Sequence, residues 1–199
     1  LFLFVGSVNN IEILKKNFFK LNKIKISGLN ETESRNLLDE INKLNIESIL
    51  FINKKKISKI INSDTSIEKY QVFKKYPSTL DIKIKKTIFL AKINYGGKIH
   101  LLGSNAKLSE NNALYQNLPY IFGKLDIKEF FKLKRIIDQS KISFNEIKNF
   151  YFYPSKRWDI ELKNGVILKL SKVNVKNSLN NSFKFLKNTS FKNVRIIDA

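Results

Sequence analysis

From Val72 to Ala91 apolar and polar residues alternate around a proline: Leu80, Ile82 and Ile84 fall on one side of an extended chain, and Asp81, Lys83 and Lys85 on the other. A period of two with one apolar side predicts strands half buried in a sheet, Asp81 and the lysines facing solvent. Pro77 has no N–H to give to a ladder and biases Tyr76 away from helix, so the stretch reads as strand, tight turn, strand. Upstream, Ile24 to Leu29 reads as a further strand. The spacing of Leu37, Leu38, Ile41 and Leu44 predicts a helix opened by an Asn30/Glu33 capping box, and Ile57, Ile60 and Ile61 predict a second helix starting near Asn53. The order is strand, helix, helix, strand, strand.

Beyond Ala91 the strands shorten and turn signals multiply. Tyr95-Gly96-Gly97 predicts a hairpin turn. Ile127, Phe130, Phe131 and Ile137 share a helical face, with Asp126 and Glu129 as a second capping box. In Arg157–Leu170 a two-residue Asn164-Gly165 turn would set Ile160 opposite Lys169. A three-residue loop, Lys163 to Gly165, pairs Leu162 with Val166, Ile160 with Leu168 and Trp158 with Leu170, which buries a uniform face and is the register expected. In Phe150-Tyr151-Phe152-Tyr153 alternation sends two rings away from the core face; they either meet a flanking helix, the preferred reading, or form a contact surface. Val175, Leu179, Phe183 and Leu186 predict a helix before a final strand over Val194 to Ile197.

The order of these elements resembles the POTRA domain of the bacterial division protein family FtsQ, called DivIB in other bacteria. Leu118-Pro119-Tyr120-Ile121-Phe122-Gly123 is similar to that family's Leu-Pro-x-hydrophobic-x-Gly element, and Arg157–Leu170 to its Trp-containing hairpin; Val194–Ala199 looks like the start of its last region. The resemblance implies an α+β fold: a POTRA-like unit (β-α-α-β-β) over 21–90, then a larger antiparallel β-subdomain with flanking helices over 91–199. Residues 1–20 would be the end of an N-terminal transmembrane helix and a linker.

Composition changes this picture little. The 199 residues suffice for one medium core or two small ones. The absence of methionine makes the chain an expected piece of a longer one, lacking its N-terminus, and much of the family's C-terminal region also lies beyond Ala199. LFLFVGSV is apolar but shorter than the roughly 20 residues of a membrane span, so it reads as a buried strand, a frayed end or the tail of a longer span; the resemblance favours the last. The net charge of +20 would suggest nucleic acid or an anionic membrane surface. It is nearly all lysine, spread along the chain in a background of Asn, Ile and Phe, so it reads as compositional and no nucleic-acid partner is expected.

No nucleophile, base and acid grouping can be built around His100, the single histidine. There is no phosphate-binding glycine loop and no cluster with metal-ligand spacing, so neither catalysis nor a cofactor or metal is expected. The resemblance implies a non-catalytic scaffold of the cell-division complex: a single-pass protein of the bacterial inner membrane, its bulk in the periplasm at the division septum. It would recruit FtsB- and FtsL-like partners and link them to septal peptidoglycan synthesis. Two exposed strand edges are the candidate docking sites. One is the strand around Val72 and Lys74. The other is Val194, Arg195, Ile196, Ile197, Asp198 and Ala199, with Val194 and Ile196 anchoring one face. The resemblance adds Lys156 or Arg157, beside the hairpin Trp158, as a basic group for an acidic partner residue. The rival readings are a POTRA-bearing outer-membrane assembly or secretion factor, with repeated POTRA units or a following barrel, and a basic nucleic-acid-binding module.

Overall fold

The computed structural model describes residues 18–111, 115, 117–124, 126–187 and 194–198. The apolar run LFLFVGSV and Ala199 lie outside them. The chain divides into two units between Ile88 and Phe89.

The first unit contains β1 (Lys23–Ser27), α1 (Glu31–Asn42), α2 (Lys54–Ser63), β2 (Ile67–Lys75) and β3 (Thr79–Lys86). Asn30 accepts from the Glu33 N–H at 2.8 Å while its own N–H donates to the Glu33 carboxylate at 3.1 Å, closing the capping box. Asn53 caps α2 by accepting from the N–H groups of Lys55 and Lys56. The sheet order is β1-β3-β2, with β1 parallel and β2 antiparallel to β3. Leu80, Ile82 and Ile84 of the central strand pack on Leu37 and Ile41 of α1 and Ile57 and Ile61 of α2. The turn after β1 lies hard against β3: a Cβ on Gly28, whose φ is +94°, would stand 1.8 Å from the Ile84 carbonyl oxygen.

Two details depart from the sequence reading. The stretch from Val72 to Ala91 runs through three strands rather than two, because β3 ends at Lys86 and β4 begins at Phe89 in a different sheet. Asp81 does point away from the core, yet its side chain is only 3% exposed and pairs with Lys75 at 2.5 Å. Beside the long side chains of its neighbours on three strands, a short carboxylate is shielded even on an outer face.

The second unit holds β4 (Phe89–Tyr95), β5 (Lys98–Gly103), β6 (Leu108–Glu110), β7 (Tyr120–Phe122), α3 (Ile127–Asp138), β8 (Ile147–Phe152), β9 (Trp158–Leu162), β10 (Ile167–Lys169), α4 (Val175–Lys187) and β11 (Ile196–Asp198). They form one eight-stranded sheet ordered β11-β10-β9-β8-β7-β4-β5-β6. It is mixed rather than antiparallel throughout. β7 and β8, and likewise β10 and β11, run parallel because a helix returns the chain between them, and β4 is parallel to β7. The hairpin after β9 has the three-residue register: Ile160 faces Leu168, the Leu162 N–H donates to the Val166 carbonyl at 2.9 Å and the Leu170 N–H to Trp158 at 3.0 Å. Gly165 takes the left-handed position, with φ +86°.

Both helices pack on the same face. Phe130, Leu133 and Ile137 of α3 and Leu179 of α4 join Ile121, Phe150, Ile160, Leu168 and Ile197 in one core with Trp158. The cap of α3 is simpler than the expected box: Asp126 accepts from the Lys128 N–H, while Glu129 pairs with Lys132 at 2.7 Å.

Candidate partner-docking edges

β11 is the last strand of its sheet. Among the described residues it is hydrogen-bonded on one side only, to β10, with Ile196 beside Ile167 and Ile197 beside Leu168. The Ile167 N–H donates to the Arg195 carbonyl at 2.8 Å. In a parallel ladder this directs the backbone groups of Arg195 and Ile197 inward and leaves those of Ile196 and Asp198 pointing away from the sheet. The side chains alternate as well, and here the expected anchors change: Ile197 is buried against the core, whereas Ile196 is 52% exposed. Val194 packs on the core from just ahead of the strand, and Arg195 and Asp198 are exposed.

The loop joining β8 to β9 lies at the end of the sheet toward which β11 runs, since Asp159, Lys169 and Asp198 stand in one cross-strand row. Lys156 sits at its tip with φ +64° and is exposed. Arg157 is already engaged. Its Nε lies 3.1 Å from the Asp159 carboxylate, which is 3% exposed, and its guanidinium stacks over Tyr153 at 4.8 Å. Of the two basic candidates, Lys156 has its charge turned outward.

The other edge belongs to the first unit. Among the described residues β2 pairs only with β3, and Val72 packs inward beneath the helices while the Lys74 ammonium donates to the Leu50 carbonyl at 2.9 Å. The edge is long and carries Lys69, Lys74 and Lys75, side chains that discourage indiscriminate strand addition.

What the sequence reading placed wrongly is the aromatic run on β8. Phe150 and Phe152 pack against Trp158 on the helix-covered face. Tyr151 does not meet a helix. It lies on the opposite face, stacked on Phe122 with ring centroids 5.0 Å apart, and Phe122 is 43% exposed. Beside them Glu161 gathers Lys148, Asn149 and the Tyr151 hydroxyl, each donating at 2.8 Å. The Lys148 hydrogen bond, then that of Asn149, hold its carboxyl down to about 2, while burial and the Glu161 contact raise the Tyr151 hydroxyl. Such a cluster orders a surface; it offers no free base. His100 is a β5 residue whose Nδ1 lies 3.1 Å from the Lys98 carbonyl oxygen. Among the described residues there is no grouping able to hold a metal ion, and no helix long and apolar enough to cross a membrane.

A β-α-α-β-β unit with a three-stranded sheet, followed by a mixed sheet with helices on one face, defines a POTRA unit joined to a second β-domain. Residues 19–86 match the family model "POTRA domain, FtsQ-type". The cell division protein FtsQ of Rickettsia bellii (strain RML369-C) is 23% identical over 162 residues, covering 81% of this chain; the chain spans 61% of that relative's length. The extracytoplasmic domain of the division protein DivIB from Geobacillus stearothermophilus superposes at a TM-score of 0.35 with 12% identity, over 47% of this chain and 85% of that one, an overlap too loose to bear on the arrangement. Residues 19–86 thus carry a POTRA domain of the FtsQ type, and most of the chain is similar in sequence to a cell division protein FtsQ.

Proposed function

We propose that this chain is a non-catalytic scaffold of the division complex that accepts a strand from an FtsB-like partner on the outer edge of β11. FtsL and the septal peptidoglycan synthesis machinery would be linked through the same complex, with the protein held in the inner membrane and its bulk in the periplasm at the septum. The observation that carries the reading is the free side of β11, where Ile196 and Asp198 turn backbone donors and acceptors outward beside an exposed isoleucine side chain. An added strand would satisfy those groups and cover Ile196. Lys156, at the same end of the sheet, supplies a positive charge for an acidic partner residue.

The test follows from the ladder. Ile197 is the wrong place for proline, because its N–H points into the sheet and its side chain into the core. At Ile196 proline removes an outward donor and leaves the core intact. Binding of the partner's periplasmic segment by titration calorimetry should weaken about tenfold or more for Ile196→Pro and far less for Ile196→Ala, as expected for loss of main-chain hydrogen bonds. Circular dichroism checks folding. Unchanged affinity in folded Ile196→Pro refutes the β11 reading and directs attention to the β2 edge at Val72 and Lys74.

A further inference from the structure

The helices of the first unit cover one face of its sheet; the other face is unusually basic. Cross-strand registers place Lys23, Thr79 and Lys75 in one row, Lys25, Asp81 and Phe73 in the next, then Ser27, Lys83 and Gln71, then Lys85 and Lys69. All six lysines are exposed. Of the two carboxylates beside them, Asp81 is buried beneath Lys75, and it is held below its ordinary value first by the Lys75 hydrogen bond and further by Lys25 and Lys83. Glu68, beside the bulge in β2, pairs with Lys85 at 3.3 Å. On the β2 side of the grid Phe73 is 41% exposed, with the Lys83 ammonium 5.6 Å from its ring centroid. A shallow depression of about 530 Å³ opens among Glu68, Lys69, Gln71, Lys83 and Lys85.

We propose that this outward face of the β1-β3-β2 sheet is a docking surface for an anionic lipid bilayer. Strands about 4.8 Å apart set the lysines in a flat, two-dimensional array, the shape of a charged plane rather than a cleft. Lysines carry hydrated point charges on flexible stems, suited to a diffuse field of phosphodiester headgroups; the face has no arginine fork for a defined phosphate. Nor has it a stacking platform of the kind that holds single-stranded nucleic acid. Phe73 gives the array one apolar group able to enter the interfacial layer, where aromatic rings are favoured. A duplex offers nothing to that ring.

The test uses the 199-residue chain with sedimenting vesicles of phosphatidylcholine alone and of phosphatidylcholine containing phosphatidylglycerol. Lys25→Gln/Lys69→Gln/Lys83→Gln removes three charges from the face yet spares Lys75 and Lys85, the partners of Asp81 and Glu68. The control, Lys54→Gln/Lys55→Gln/Lys56→Gln, removes the same charge from the start of α2, on the helical side. The partition coefficient onto the phosphatidylglycerol vesicles should fall on the order of hundredfold in the sheet variant and by roughly threefold or less in the control, at about fivefold per lysine held near the surface. Circular dichroism establishes that both variants are folded. The proposal is overturned by equal losses in the two variants, which would report net charge alone, or by equal binding of the unaltered chain to both vesicle types. Tighter binding to duplex DNA than to the anionic vesicles at the same salt would also overturn it and assign the face to nucleic acid.

Discussion

Acid should weaken the second unit through one carboxylate above others. Glu161 is 14% exposed and receives Lys148, Asn149 and Tyr151, which lower its carboxyl from 4.5 to about 2. A group depressed on folding contributes stability that is complete above its unfolded value and is lost as pH falls toward the folded value. The window therefore runs from about pH 5 down to about pH 2. The whole shift corresponds to about 3 kcal/mol, and two-state linkage assigns about 2 kcal/mol of it to the drop from pH 7 to pH 3. Glu161→Gln keeps the shape and removes the titration. Urea unfolding of the parent and the variant at pH 7 and pH 3 cancels the other carboxylates: the parent should lose about 2 kcal/mol more than Glu161→Gln between the two pH values. Identical losses would show that the cluster contributes no charge-dependent stability and that its three hydrogen bonds do not persist in solution.

Other outcomes can be read from single substitutions. A Cβ on Gly123, φ +102°, would stand 2.0 Å from the Phe152 carbonyl oxygen, whereas Gly165, φ +86°, has nothing within 4 Å. Gly123→Ala should therefore cost about 3 kcal/mol or more in thermal or chemical unfolding, and Gly165→Ala only about 1 kcal/mol. Arg157→Ala leaves the buried Asp159 without its cation and should lower stability by about 2 kcal/mol, while Lys156→Ala should leave the unfolding midpoint within about 0.5 kcal/mol and weaken partner binding. Leu168→Ala, at a fully buried site facing Ile160, should cost about 3 kcal/mol by denaturant unfolding.

Much of the first unit could be read from the chain because its signals are local. The box at Asn30 and Glu33, the cap at Asn53 and the alternation of Leu80, Ile82 and Ile84 each fix structure within a few residues of themselves. The hairpin register was also legible, since only the three-residue loop keeps Ile160 and Leu168 on one side. The side to which helices are assigned was not. β8 carries aromatic rings on both faces, so Tyr151 is indistinguishable from Phe150 until α3 and α4 are known to share one face. Asp81 was misread because burial on a sheet's outer face depends on the side chains of the adjacent strands, here Lys75 and Phe73 of β2 and Lys25 of β1. At the candidate site, the strand at the end of the chain could be foreseen but its orientation could not. The register against β10, which sets Ile197 beside the core residue Leu168 and Ile196 beside Ile167, is what buries the first and exposes the second.

That parallel pairing also bears on how tightly a partner could be held. β11 is three residues long and is fastened to a single neighbour, with Ile197 as its one buried side chain. So short a strand lies at the low end of the local stability scale. A partner strand would give it a second ladder, so that ordering β11 and binding the partner become one equilibrium. By linkage, a substitution that merely firms the packing of Ile197 against Leu168 would tighten binding without touching the partner, and one that loosens it would release the partner without altering the interface. Were the partner to dock here, affinity at this edge would be set as much from within the core, by α4 and β10, as from the surface it meets.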